Sequence, residues 1–133
     1  MDSPHQFLSP ASWKPPRGYA NGVAASGRMV FLGGMVGWTG DQIFQADDFV
    51  GQARQALGNI VEVLAEAGGR PEHIVRLTWF VLSRAEYLAS LPELGRAYRE
   101  TLGRHFPAMT LVEVSALVEA RARLEIEATA VIP

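Results

Sequence analysis

The sequence predicts an α+β protein: one mixed β-sheet with two helices packed on a single face. Two segments, 49–67 and 84–102, repeat apolar residues at helical spacing. Around them lie short runs rich in β-branched and aromatic residues, at 74–82, 109–117 and 122–132. The resulting order, ββ(β)αβαββ, alternates twice and then returns with two strands, the pattern of a sheet covered by helices on one side.

Residues 1–17 are Pro-rich and polar and have no period, so they are read as an N-terminal arm preceding a single domain, 18–133. The arm has no apolar h-region and is not a signal peptide by that criterion. Val23-Ala24-Ala25 and Met29-Val30-Phe31-Leu32 flank Ser26-Gly27-Arg28, which signals a hairpin with Gly27 in the turn. Gly33-Gly34 marks a bulge or a close backbone approach. The stretch 38–44 is a turn, after which Asp47 or Asp48 caps the first helix. Phe49, Ala53, Ala56, Leu57, Ile60 and Leu64 give that helix its apolar stripe, and Gln52, Arg54, Gln55, Asn59 and Glu62 its exposed face. Gly68-Gly69 stops it. The second helical segment starts at Ser83 or Arg84, takes Pro92 near the start of its main run, and ends at Gly103.

Leu77, Trp79 and Val81 alternate with Val75, Phe80 and Leu82, and the last two strands are also read as apolar on both parities. Two helices cover one face, so self-association is expected to cover the other. The chain has 133 residues, 48% of them hydrophobic, enough for one core. Its net charge is −2 and Lys14 is its single lysine, which argues against nucleic acid as the main partner. No apolar run reaches the length of a membrane span. With no cysteine there is no disulfide or thiolate chemistry, and a cytoplasmic location is expected.

Phosphate-loop, zinc and nucleophile-elbow motifs are absent. His5, His73 and His105 have no metal-like spacing. Glu113, Glu125 and Glu127 are acidic residues within apolar strands. They are either outward-facing partners of Arg76, Arg121 or Arg123, or else one borders a pocket as a proton shuttle. Trp38, Trp79 and Phe106 are core aromatics that also have the character of a pocket lining.

Five motifs occur in register: Gly18-Tyr19-Ala20-Asn21-Gly22-Val23; Val30-Phe31-Leu32-Gly33-Gly34; Gln55-Ala56-Leu57-x-Asn59-Ile60; Pro107-Ala108-x-Thr110-x-Val112-Glu113-Val114; and Glu125-Ile126-Glu127-Ala128. Over about residues 17–132 the chain resembles the reactive intermediate deaminase family, also called YjgF or L-PSP endoribonuclease-like. The resemblance implies a chorismate-mutase-like fold and a homotrimer with a barrel-like core. It also implies small-molecule clefts between subunits and no cofactor. Catalytic members hydrolyse enamines and imines such as 2-aminoacrylate, releasing ammonia. Carried over residue by residue, Tyr19 is the cleft tyrosine, Gly34 a glycine whose backbone faces the ligand, and Leu111 a backbone donor to the substrate carboxylate. Glu125 is the glutamate that holds the attacking water. Met109 stands where the family has a carboxylate-binding arginine, and Gly33 and Met35 replace a frequent serine and glutamine. The function implied is enamine or imine deamination with altered specificity. The alternatives are a non-catalytic ligand-binding protein and an endoribonuclease or translation inhibitor. Arg121 and Arg123 are candidates for a replacement charge.

Overall fold

In the computed structural model, which describes residues 3–133, the chain opens with two short strands, β1 (Gln6–Leu8) and β2 (Gly22–Ala24). They pair antiparallel with each other. Strand β3 (Arg28–Val36) leads through a turn into helix α1 (Phe49–Glu66), and β4 (Ile74–Val81) follows. A short helix α2 (Arg84–Ala89) and helix α3 (Leu91–Leu102) come next, then β5 (Ala108–Glu113) and β6 (Leu124–Ile132). The main sheet has the order β3-β6-β4-β5, with β4 and β5 parallel and the other pairs antiparallel. This is the expected mixed sheet with two main helices.

Local chemistry explains the helix ends. The Asp48 carboxylate accepts the Gly51 N–H at 2.9 Å, a cap worth about 1 kcal/mol. Beyond Ala67 the chain leaves the helix through Gly68 at φ 79°, and the Arg28 guanidinium donates to the Ala67 carbonyl at 2.6 Å. Ser83 caps α2 and Pro92 lies in the first turn of α3. The α1 stripe of Leu57, Ile60 and Leu64 is fully buried against Leu77, Leu124 and Ile126 of the sheet. Each such side chain contributes roughly 1.5–3 kcal/mol of burial free energy.

Three expectations change. The hairpin around Gly27 does not form, because β2 pairs with the arm while β3 runs beside β6, with Arg28 opposite Ile132. Gly27 is still required, at φ 145°, since a Cβ there would overlap the main chain of Ile132. Gln52 is fully buried rather than exposed, and Asn59 is half-buried. The final strand is not apolar on both faces: Leu124, Ile126, Ala128 and Ala130 face the helices, while Glu125, Glu127 and Thr129 face away. The outer face is therefore mixed: Glu125, Glu127 and Thr129 share it with Phe80 and Val131, while Met29 and Phe31 of β3 are 58% and 73% exposed.

The arm docks on a histidine cluster. The Phe7 ring packs against His105, with centroids 5.9 Å apart, and a His5 ring nitrogen meets the His73 carbonyl at 3.3 Å. The Arg70 N–H donates to His73 Nδ1, and His105 Nε2 is 2.7 Å from the Ile74 carbonyl. Burial pushes both His73 and His105 below the ordinary imidazole value. Glu72 works against that shift at both rings, as does the Ile74 carbonyl at His105. Arg70 adds to it at His73, and the neighbouring histidines add to it at both. Each ring thus resists the proton that the unfolded chain accepts. The sign follows: their contribution is complete above the ordinary value of 6.5 and declines as pH falls below it. Thermal melting between pH 7.5 and 5 should show a falling midpoint, and replacing His105 by Asn should flatten that fall.

Candidate functional site

The sequence-derived site residues fall into two groups on opposite faces of the sheet. The first joins β3 and β6. The irregularity between Leu32 and Met35 interrupts their pairing at Gly33-Gly34 and brings Gly34 against Glu125. A Cβ on Gly34 would overlap the Glu125 carboxylate, so only glycine leaves the acid where it is. Glu125 lies beside Phe80 on the face away from the helices, and Phe80 in turn lies beside Val112. Among the described residues its carboxylate forms no ion pair. It is half-exposed and open to water.

The second group lies at the β5 edge. Met109 and Leu111 sit opposite Leu77 and Trp79 and so face the helix side. With Gly18, Trp79, Tyr87, Leu91, Leu94, Gly95, Tyr98 and Phe106 they line a cavity of about 130 Å³. The segment before β2 extends the sheet at this edge: the Ala20 N–H donates to the Pro107 carbonyl at 2.9 Å, and Ala20 bridges Ala108 in parallel. Gly18, at φ 77°, turns the chain into that position. Tyr19 lines an adjoining groove with Phe7, Arg104 and Phe106. Strands β6 and β4 separate β3 from β5. Within the single chain, Glu125 and Gly34 meet and Met109 and Leu111 line one cavity, but the two pairs do not meet.

The family model for endoribonuclease L-PSP matches residues 10–132. The chain belongs to this YjgF/L-PSP family. Its main chain superposes on YyfB of Yersinia pestis, described as a member of the conserved Rid protein family, with a TM-score of 0.82. That match has 31% identity and covers 96% of this chain and 98% of the other. An uncharacterised protein of Streptomyces coelicolor is 29% identical over 122 residues, covering 92% of this chain and 87% of that protein. A RutC family protein of Haemophilus influenzae is 39% identical over 84 residues, covering 63% of this chain and 64% of that protein.

In this L-PSP family member neither Arg121 nor Arg123 lines the cavity beside Met109. Arg121 pairs with Asp47, and Arg123 with Glu86 at 2.8 Å. Both pairs lie at the α1–α2 end of the fold. Glu113 is likewise occupied, accepting the Arg84 N–H at 2.8 Å. His105 is buried beneath the arm and does not line the cavity. Trp38 packs on Phe44 and does not line the cavity of Trp79 and Phe106.

Sequence reasoning missed the residues that hold the site in place. The Gln52 amide donates to the Ala46 carbonyl at 3.1 Å and to the Arg121 carbonyl at 3.0 Å, and its oxygen accepts the Arg123 N–H at 2.8 Å. One buried side chain thereby fixes the lead-in to Glu125. Asn59 donates to the Trp38 carbonyl at 2.7 Å and accepts from Gln55, which holds the exit of β3. The signal available in the sequence was a long polar residue inside an otherwise apolar helical stripe. The cavity wall was present as the helical repeat Tyr87, Leu91, Leu94 and Tyr98, whose spacing fits a core equally well.

Proposed function

We propose that the protein hydrolyses reactive imines or enamines, with Glu125 holding the attacking water, in clefts formed between subunits of a homotrimer. The observation that carries this reading is the unpaired Glu125 carboxylate set against Gly34 on an open sheet face. A protonated imine carbon is already electrophilic, so a positioned water and a base suffice. Water oxygen adds to that carbon while its proton passes to Glu125. Glu125 then returns that proton to the carbinolamine nitrogen, the carbon–nitrogen bond breaks to release ammonia, and the hydroxyl proton passes back to the Glu125 carboxylate as the carbonyl forms. Gly34 leaves room for the acid itself. The β5 edge, with Tyr19, Met109 and Leu111, holds the rest of the substrate, and the Leu111 backbone N–H serves a substrate carboxylate. The exposed Met29 and Phe31 support a second copy covering this face, bringing its β5 edge to Glu125.

A ligand-binding protein without turnover is the second reading, favoured by Met109, which removes the fixed positive charge that a bidentate carboxylate contact needs. Ammonia release from freshly generated imines, with and without a carboxylate, separates the two. Turnover above the spontaneous rate supports hydrolysis. Ligand-induced thermal stabilisation with no turnover of any imine would replace it with the binding reading.

A further inference from the structure

We propose that the cavity between α3 and β5 receives a ring-sized apolar side group of the substrate, making the protein selective for imines with aromatic or branched side chains. This rests on the imine-hydrolysis reading for its turnover arm and on the cavity alone for its binding arm.

At about 130 Å³ the cavity is close to the size of engineered apolar cavities, about 150 Å³, that hold a benzene ring. None of its lining residues is charged. Tyr98 and Phe106 are stacked, with centroids 5.3 Å apart and planes 10° from parallel, which gives one flat aromatic wall. The Tyr98 hydroxyl is already spent, donating to the His105 carbonyl at 2.6 Å. Trp79 is different. Its indole N–H is the one buried side-chain polar atom without a hydrogen-bond partner among the described residues. The Trp79 ring lines the cavity, so its indole signal reports an aromatic occupant packed against it. Met109 completes the wall with a flexible thioether that adapts to ring shape. An arginine here would put a charge beside the same space.

Two measurements test this on the intact protein. The chain has three tryptophans, so phenol can be titrated while the three indole N–H signals are followed by nuclear magnetic resonance, with Trp79→Phe giving the assignment. Ammonia release is then compared for imines made in place from phenylalanine, leucine and alanine. Gly95→Leu plugs the cavity from a helix position where leucine is favoured; a Cβ there meets only the Arg99 guanidinium end, at 3.2 Å. The expected result is a saturable shift of the Trp79 signal. The phenylalanine and leucine imines should be preferred over the alanine imine by at least about tenfold in kcat/KM. Gly95→Leu should abolish both the shift and the preference. Equal turnover of the three imines with no Trp79 shift would overturn the cavity proposal and leave the hydrolysis reading standing. A Trp79 shift lost in Gly95→Leu, with no imine turned over, would support the cavity and overturn the hydrolysis reading.

Discussion

Glutamine in place of Glu125 is expected to lower ammonia release by about 10²–10⁴-fold, the range that a positioned proton acceptor contributes. Glutamine keeps the shape of the side chain but does not take the proton from water. The loss should fall on kcat and kcat/KM together, because the group acts as charge develops and not when substrate binds. Stability should hardly move. Glu125 is half-exposed and has no ion-pair partner among the described residues, so a change within about ±0.5 kcal/mol is expected. Gly34→Ala is a companion variant. Its new methyl group displaces only the end of a flexible side chain, so the protein should fold while the carboxylate moves and turnover drops. Full activity in both variants would remove Glu125 from the chemistry.

The largest loss of stability is expected from Gln52→Leu. Leucine suits a fully buried helical site by size, yet it abandons the Ala46 and Arg121 carbonyls and the Arg123 N–H. Leaving buried backbone groups unpaired costs about 1–3 kcal/mol each, so a loss of about 2–5 kcal/mol is expected after partial relaxation. Denaturant unfolding of wild type and variant gives this figure directly. Gln52→Glu should not rescue it, since a carboxylate turns an acceptor toward both carbonyls. Because Arg123 lies two residues before Glu125, the folded fraction should also lose turnover. A variant as stable as wild type would show that the bonds seen here are replaceable by water.

The two helical segments and the four main strands were legible because each rests on local patterning: apolar period, Gly68 and Gly103 as stops, and helix starts narrowed to Asp47 or Asp48 and to Ser83 or Arg84, of which the structure uses Asp48 and Ser83. The partner of β2 was not legible, since pairing with the arm or with β3 depends on which edge is free in three dimensions. The last strand was read as apolar on both sides although Glu125 and Glu127 alternate with Leu124 and Ile126. Weighing individual apolar residues above the period-two pattern produced that error. Gln52 was placed outside because glutamine usually is, and a side chain that serves three distant backbone groups leaves no local trace. The candidate site residues were assigned by motif, but their division between two sheet faces appears only once the register of β4 with β5 and β6 is known.

That division makes the account's central claim testable by mixing subunits. Glu125→Gln lacks the base and keeps the β5 edge. Met109→Glu keeps the base and places a carboxylate where substrate should enter. Each alone is expected to be inactive. Co-assembled in equal amounts, they should recover roughly a quarter of wild-type ammonia release, the share of clefts in a symmetric trimer that draw an intact residue from each neighbour. Recovery near that level is the predicted result. Two inactive variants that stay inactive after verified co-assembly would contradict a site shared between subunits.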